Sequence, residues 1–285
     1  MSFKDRMEVY KHNPGSLILR ILMVLASFFT VGITVCIVGY ILIKGIPNLT
    51  LDQFSWVYNT ENVSMMPAII NTILMVLLVL LLVVPIGVGG AIYLVEYATR
   101  GNKLVKVIRL TAETLSGIPS IVYGLFGYLF FVIACGWGNS FLAGALTLAM
   151  MVLPLILRTT EEALKSVPDS FREGSFGLGA GKLRTIFRII LPTAVPGILS
   201  GVILGIGRVV GETAALMYTA GTIAKIPGSL MDSGRTLAVH MYALLSEGLY
   251  MEQAYAAAVI LLIVVLLING CSSWIAKKLT KRRQK

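Results

Sequence analysis

Residues 68–84, AIINTILMVLLVLLLVV, decide the fold, because they belong to an uncharged run that extends from Pro67 to Val95. About 20 apolar residues let a helix cross a hydrocarbon layer of about 30 Å. Similar runs recur along the 285 residues, of which 56% are hydrophobic and 13% are charged. Since an ordinary soluble domain has about 25% charged residues, this composition excludes most soluble folds. The sequence predicts an all-α membrane protein.

Six apolar runs predict six transmembrane helices. They lie near residues 17–43, 67–95, 107–134, 140–158, 196–220 and 254–276. The first run follows a basic N-terminus but is about twice as long as the core of a signal peptide, so we expect an anchor that stays attached. Asn71, Pro85, Gly117 and Pro119 interrupt the second and third runs, so these two helices could be kinked or line a cavity.

Basic residues are spread over several segments rather than gathered in one patch. The chain has 24 Lys and Arg against 14 Asp and Glu, and most of the basic residues lie in the termini and in the loops after the second and fourth runs. This distribution disfavours a nucleic-acid partner, and the positive-inside rule predicts that both termini are cytoplasmic. In the loop between the fifth and sixth runs we expect Arg235 to be solvated, and contact with another protein on the outer side of the membrane is the alternative. His12, His240 and the cysteines lack metal-ligand spacing, so no metal site is predicted.

The glycine-rich segment 177–183, GLGAGKL, does not fit a phosphate-binding loop. Such a loop needs a glycine five residues before the glycine of its Gly-Lys pair, and Ser or Thr after the lysine. Phe176 and Leu183 occupy these positions. We therefore expect that the chain hydrolyses no nucleotide by itself.

Residues 161–196, between the fourth and fifth runs, predict a short helix on the cytoplasmic side. Pro168 suits the first turn of a helix, and Gly179 suits a helix end. Phe171, Phe176 and Leu178 would provide apolar side chains for docking into a groove on a partner, and a position on the lipid surface is the alternative.

This segment resembles the E-A-A-x3-G-x9-I-x-L-P coupling motif of permease subunits of binding-protein-dependent ABC importers. The spacing is kept, while glycine and serine replace the two alanines. The matching residues are Glu173, Gly174, Ser175, Gly179, Ile189, Leu191 and Pro192. The resemblance implies the type I, MetI-like permease fold with six transmembrane helices, in which the short helix fits a cleft in a cytoplasmic ATPase subunit.

In the fifth run, Gly201, Gly205, Arg208 and Glu212 share one face of the predicted helix. Charges four residues apart can pair, and Arg208 lies about 18 Å beyond Pro196, which places it near mid-membrane. An ion pair at this depth either holds helices in register or forms part of a path for a charged solute. Arginine suits a phosphate-like oxyanion, because its planar guanidinium donates two parallel hydrogen bonds.

Residues 208–214, RVVGETA, and 113–127, ETLSGIPSIVYGLFG, resemble signatures of the permease pair of phosphate importers. Residues 236–242, TLAVHMY, look closer to the PstA than to the PstC member of that pair. The resemblance implies phosphate as the substrate. The implied substrate-path residues are Arg208, Glu212, Thr213, Glu113, Ser116 and Ser120.

The resemblance also implies partners and a location. A PstC-like permease would complete a heterodimeric pore in a bacterial inner membrane, a PstB-like ATPase dimer would use ATP and Mg²⁺, and a PstS-like phosphate-binding protein would deliver the substrate. This chain would itself bind no cofactor. A permease for sulfate, molybdate or phosphonate, or the PstC-type subunit itself, is the alternative, while a membrane enzyme or a passive anion channel fits the motifs less well.

The predicted organisation has three parts. Residues 1–64 would form the N-terminal tail, the first helix and an external loop. Residues 65–280 would form the core permease domain with a coupling loop at about 159–195, and residues 281–285 a basic cytoplasmic tail.

Overall fold

The computed structural model describes residues 14–99 and 101–281, and all the regular structure in these residues is helical. Most of the basic N-terminal tail and residues 282–285, for which a cytoplasmic position is predicted, lie outside the described residues. The helices are α1 Pro14–Gly45, α2 Met66–Tyr97, α3 Lys103–Ser116, α4 Ser120–Ala134, α5 Phe141–Lys165, α6 Asp169–Gly177, α7 Lys182–Val210, α8 Ala214–Thr219, α9 Leu237–Glu247 and α10 Met251–Lys281.

Helix lengths agree with the prediction of a polytopic membrane protein. In the described residues, 5 helices are long and apolar enough to cross a membrane, or 6 if α3 and α4 together count as one bent span. Helix α5 lies at the centre and packs against α2 on one side and α7 on the other. The core between them contains Met75, Val79, Leu148, Val152 and Val209. Helix α1 lies outside this core and packs against α10.

The third predicted span is bent, and the expected kink near Gly117 and Pro119 is confirmed. Helices α3 and α4 meet at an angle of 104°. Ile118 precedes Pro119, and the residue before a proline is disfavoured in the helical conformation. The Tyr123 hydroxyl, in the first turn of α4, donates to the carbonyl of Leu115 in α3 at 2.8 Å and braces the bend.

The fifth predicted span, 196–220, is wrong at both ends. Helix α7 begins at Lys182 and ends at Val210. Gly211 follows as its C-terminal cap, and Thr213 leaves the helical conformation with φ −120° and ψ −58°. The short helix α8 then starts at Ala214. Gly201, Gly205 and Arg208 therefore lie on one helix as expected, but Glu212 does not, because it lies beyond the end of α7.

The loop before α9 is fixed to the start of α2 by a buried polar contact. The Asn71 amide is fully buried and donates to the carbonyls of Lys225 and Arg235 at 2.9 and 3.0 Å. The backbone N–H of Arg235 also donates to the Ile223 carbonyl at 3.0 Å. These contacts hold Arg235 inside the fold, where it is 5% exposed, so the expectation of a solvated arginine is wrong.

Candidate functional site

The two signature segments expected to form the substrate path are brought together by close packing of α8 against α4. A Cβ atom added at Gly124 in α4 would lie 2.8 Å from the Cα of Ala215 in α8, so only glycine permits this approach. Arg208 is half-buried in the last turn of α7 and interacts electrostatically with the Tyr123 hydroxyl of α4. Segments that are about 90 residues apart in sequence therefore meet near one arginine.

Arg208 and Glu212 do not form the ion pair that their spacing suggested. Among the described residues no carboxylate lies within 4.0 Å of the Arg208 guanidinium. The Glu212 side chain is buried, and its Oε1 accepts the backbone N–H of Ala215 at 3.1 Å. This contact satisfies a donor at the start of α8. The Thr213 hydroxyl lies beside it and donates to the Gly211 carbonyl at 3.5 Å.

The other predicted path residues lie at the bend between α3 and α4. The Glu113 side chain is 70% exposed, and its nearest basic partner is Arg158, at 4.0 Å. The Ser116 hydroxyl donates to the Glu113 carbonyl at 2.7 Å, and Ser120 is the first residue of α4. The structure therefore pairs Glu113 with α5 and does not bring its carboxylate to Arg208.

The short helix expected to couple to an ATPase is present as α6. Three apolar side chains on and after it are exposed, Phe171 by 46%, Phe176 by 48% and Leu178 by 91%. Gly179 has a φ of +81° and ends the helix in the left-handed conformation that glycine adopts readily. Helix α6 thus presents apolar side chains outward, at the end of the bundle that we call the α6 end.

The serine that departs from the alanine-rich coupling motif has a local explanation. The Ser175 hydroxyl is buried and lies 2.8 Å from the Thr185 hydroxyl of α7, so this serine links α6 to α7. Glu173 and Gly174 are exposed on the other face of α6. The remaining motif residues, Ile189, Leu191 and Pro192, are half-buried in α7.

Sequence reasoning missed an ionic contact that joins α6 to α2. The Arg172 guanidinium pairs with the Glu96 carboxylate at the end of α2, with Nη2 2.7 Å from Oε1. Arg172 also donates to the carbonyls of Leu164 and Val167 at 3.1 and 2.9 Å. The hydrogen bond to Glu96 raises the pKa of Arg172, so the guanidinium stays charged at physiological pH. We call this contact the Arg172–Glu96 latch; its only sequence signal was a carboxylate ending an uncharged run.

Further ion pairs join α3 to α5 beside the latch. The Glu161 side chain is 9% exposed and contacts Arg109 at 2.7 Å and Lys165 at 2.6 Å. A cavity of about 640 Å³ lies between these pairs and the latch, and its charged lining residues are Glu96, Lys106, Arg109, Lys165, Asp169 and Arg172. No group of side chains in the described ranges has the arrangement of a metal site.

The sequence of this chain is similar to those of known transport permeases. Residues 84–285 match the family described as binding-protein-dependent transport system inner membrane component. The chain is 34% identical over 281 residues to the probable ABC transporter permease protein YqgI of Bacillus subtilis, covering 90% of this chain and 94% of the relative. It is 35% identical to the phosphate transport system permease protein PstA of Pasteurella multocida, covering 86% of this chain and 88% of the relative. PstA 1 of Mycobacterium tuberculosis is 39% identical, over 71% of this chain and 66% of the relative.

Solved structures of ABC importers share the fold. A bacterial alginate ABC transporter in complex with a pentasaccharide-bound periplasmic protein superimposes with a TM-score of 0.68 at 17% identity, covering 96% of this chain and 98% of that chain. The inward-facing methionine ABC transporter MetNI superimposes with a TM-score of 0.58 at 19% identity, covering 85% and 98%. At these identities the likeness concerns the fold alone, which is that of the MetI-like importer permeases.

Proposed function

The chain belongs to the family of binding-protein-dependent transport system inner membrane components, and on that premise we propose that it is a PstA-like permease subunit of an ATP-driven phosphate importer. In this role it forms half of the membrane pathway and leaves ATP hydrolysis to partner subunits. A PstC-like permease forms the other half, a PstB-like ATPase dimer binds ATP and Mg²⁺, and a PstS-like protein delivers phosphate. The termini and α6 face the cytoplasm.

One observation carries the permease role, which is the position of α6. Its backbone is held by the Arg172–Glu96 latch and by the contact between Ser175 and Thr185, while Phe171, Phe176 and Leu178 point away from the bundle. An exposed apolar helix on a rigid support suits docking into a groove on a partner. A passive channel would need no such support.

The substrate assignment rests on Arg208 together with the relatives that are phosphate permeases. Because Arg208 has no carboxylate partner among the described residues, its guanidinium can bind an oxyanion without first breaking an ion pair. Glu212 and Thr213 then serve the path by positioning α8 against α4. Glu113, Ser116 and Ser120 line the bend that faces the second permease.

We expect the motion of the ATPase subunits to reach the pore through helices that move as rigid bodies. ATP binding by the partner subunits draws the two α6 ends together and opens the opposite side of the pore to receive phosphate. The latch carries the motion of α6 to α2, and the ion pair between Glu161 and Arg109 carries the motion of α5 to α3. Hydrolysis resets the pore.

Uptake by the reconstituted complex tests the proposal. Labelled phosphate should enter proteoliposomes only with ATP and the loaded binding protein, and labelled sulfate should not. Uptake of sulfate, molybdate or phosphonate in preference to phosphate would assign the chain to another oxyanion. Phosphate flux without ATP would instead identify a passive channel.

Arg208→Gln tests the path directly. The variant should lose phosphate uptake while the complex still assembles in the membrane, because glutamine keeps hydrogen-bonding groups but not the positive charge. Arg188→Gln is the matched control, since Arg188 is an exposed arginine on the same helix, about 30 Å away along its axis. Loss of the assembled complex in Arg208→Gln would show that the arginine is structural.

A further inference from the structure

The cavity between the latch and the Glu161 ion pairs has a volume of about 640 Å³ and no role in the proposed pathway. Cavities of about 300–1,000 Å³ commonly hold small organic ligands. Its wall is formed by the end of α2, the start of α3 and the junction of α5 with α6. Leu94, Val95 and Val105 give the wall an apolar side, and charged side chains line much of the rest. Since the uncharged run of α2 ends here, the cavity lies where a membrane span meets water.

Three basic side chains on this wall have N–H groups available to a ligand. Lys106 of α3 is exposed, and no carboxylate of the described residues lies within 4.0 Å of it. Arg109 contacts Glu161 through Nε, while its two terminal nitrogens make no hydrogen bond to a described residue. Lys165 of α5 shares the same Glu161 oxygen, so one carboxylate faces two cations. The side chains of Arg109 and Lys165 are 43% and 52% exposed, so both remain accessible from the cavity.

The acidic side chains around the cavity do not cancel this positive charge. Glu96 and Asp169 also line it, but both are in contact with Arg172. Even with Glu161 included, four basic groups face three carboxylates. Helix α3 begins at the cavity, where its N-cap residue Asn102 is part of the lining, and the N-terminus of a helix adds positive potential. The space therefore favours an anion.

We propose that this cavity binds the phosphate group of an anionic ligand, with Lys106, Arg109 and Lys165 as its donors. A phosphate group carries negative charge and several acceptor oxygens, so it accepts hydrogen bonds from an arginine and from lysines at once. The headgroup of an anionic phospholipid and a soluble phosphate present the same group, and the apolar side of the cavity suits the glycerol of a headgroup. The site is distinct from Arg208 and does not depend on the transport function.

Thermal unfolding of the full-length chain in detergent tests the site in two arms. The unfolding midpoint, followed by tryptophan fluorescence, should rise when phosphatidylglycerol replaces phosphatidylcholine in the micelles, or when inorganic phosphate replaces chloride at equal ionic strength. The inorganic phosphate arm uses the Arg208→Gln chain, so that phosphate bound in the proposed substrate path does not contribute. A rise with lipid alone identifies a headgroup as the ligand, and a rise with inorganic phosphate identifies a soluble one. An unchanged midpoint in both arms would overturn the proposal.

Matched lysine variants of α3 locate the effect. Lys106→Gln should raise the ligand concentration that gives half of the midpoint shift about tenfold or more, because a hydrogen bond from a charged group is lost. Lys106 is exposed and contacts no described carboxylate, so this variant should fold normally. Lys103→Gln is the control, since Lys103 is an exposed lysine of the same helix that does not line the cavity, and it should keep the response. Equal responses in Lys106→Gln and Lys103→Gln would refute the site.

Discussion

Replacing Arg172 by glutamine should release α6 from the end of α2. The guanidinium donates three hydrogen bonds to the Glu96 carboxylate through Nε and Nη2, two to backbone carbonyls and one to Asp169. The side chains of Arg172 and Glu96 are 16% and 8% exposed. Glutamine has two N–H donors and no charge, so Glu96 would remain buried without a counter-charge.

The size of the effect follows from this burial. Removing one partner of a buried, hydrogen-bonded ion pair costs roughly 2–4 kcal/mol when part of the pair still meets water. Since each 1.4 kcal/mol is a factor of ten, docking of α6 on the bundle should weaken roughly 30- to 700-fold. Glu96→Gln should cost less, because an amide oxygen can still accept from Arg172.

The assay compares uptake with ATPase activity in the reconstituted complex. Arg172→Gln should keep basal ATP hydrolysis but lose most of the stimulation by loaded binding protein, together with uptake. Asp169→Asn is the matched control, because it neutralises a carboxylate that pairs with the same arginine but is 74% exposed. Exposed ion pairs contribute about 0–1 kcal/mol to stability, so ATP hydrolysis and phosphate uptake should remain coupled almost normally in this variant.

A double-mutant cycle provides the refutation. If the latch is one unit, the unfolding free energy lost in Glu96→Gln combined with Arg172→Gln should be clearly less than the sum of the two single losses. Additive losses, or a normally coupled Arg172→Gln complex, would show that the contact does not transmit motion.

Two glycines give further predictions. Gly179→Ala should impair stimulation of the ATPase, since a φ of +81° costs about 1–2 kcal/mol for a residue with a Cβ. Gly179→Asn should have a milder effect, because asparagine adopts the left-handed conformation more readily than alanine. Equal activity of the two variants would exclude backbone strain as the cause. Gly124→Ala should lower the unfolding free energy by about 1–3 kcal/mol, because the added Cβ meets the backbone of α8. Gly207→Ala is the control and should leave the unfolding free energy unchanged, because nothing lies within 4 Å of its added Cβ. An unchanged unfolding midpoint in Gly124→Ala would contradict the close packing.

Hydropathy and motif spacing predicted much of the fold and the coupling helix. The uncharged run from Pro67 to Val95 became α2, and the segment ended by Gly179 became α6. These features depend on neighbouring residues, since a membrane span needs only a continuous apolar stretch and a helix end needs only a suitable residue. The resemblance to the coupling motif, whose spacing is kept as far as Pro192, indicated the family.

Tertiary structure alone decided how distant residues pair. Arg172 and Glu96 are 76 residues apart and meet only because the first turn of α6 lies beside the last turn of α2. Glu212 was assigned to the face of Arg208 by helical periodicity, but α7 ends at Val210, and the residues that follow Glu212 form α8, which packs against α4. The polar residues around Arg235 predict a solvated loop, yet the residue is buried, because its carbonyl accepts a hydrogen bond from the Asn71 amide. A local pattern records which residues a helix could align, whereas burial and charge pairing arise from contacts between segments that are far apart in the chain.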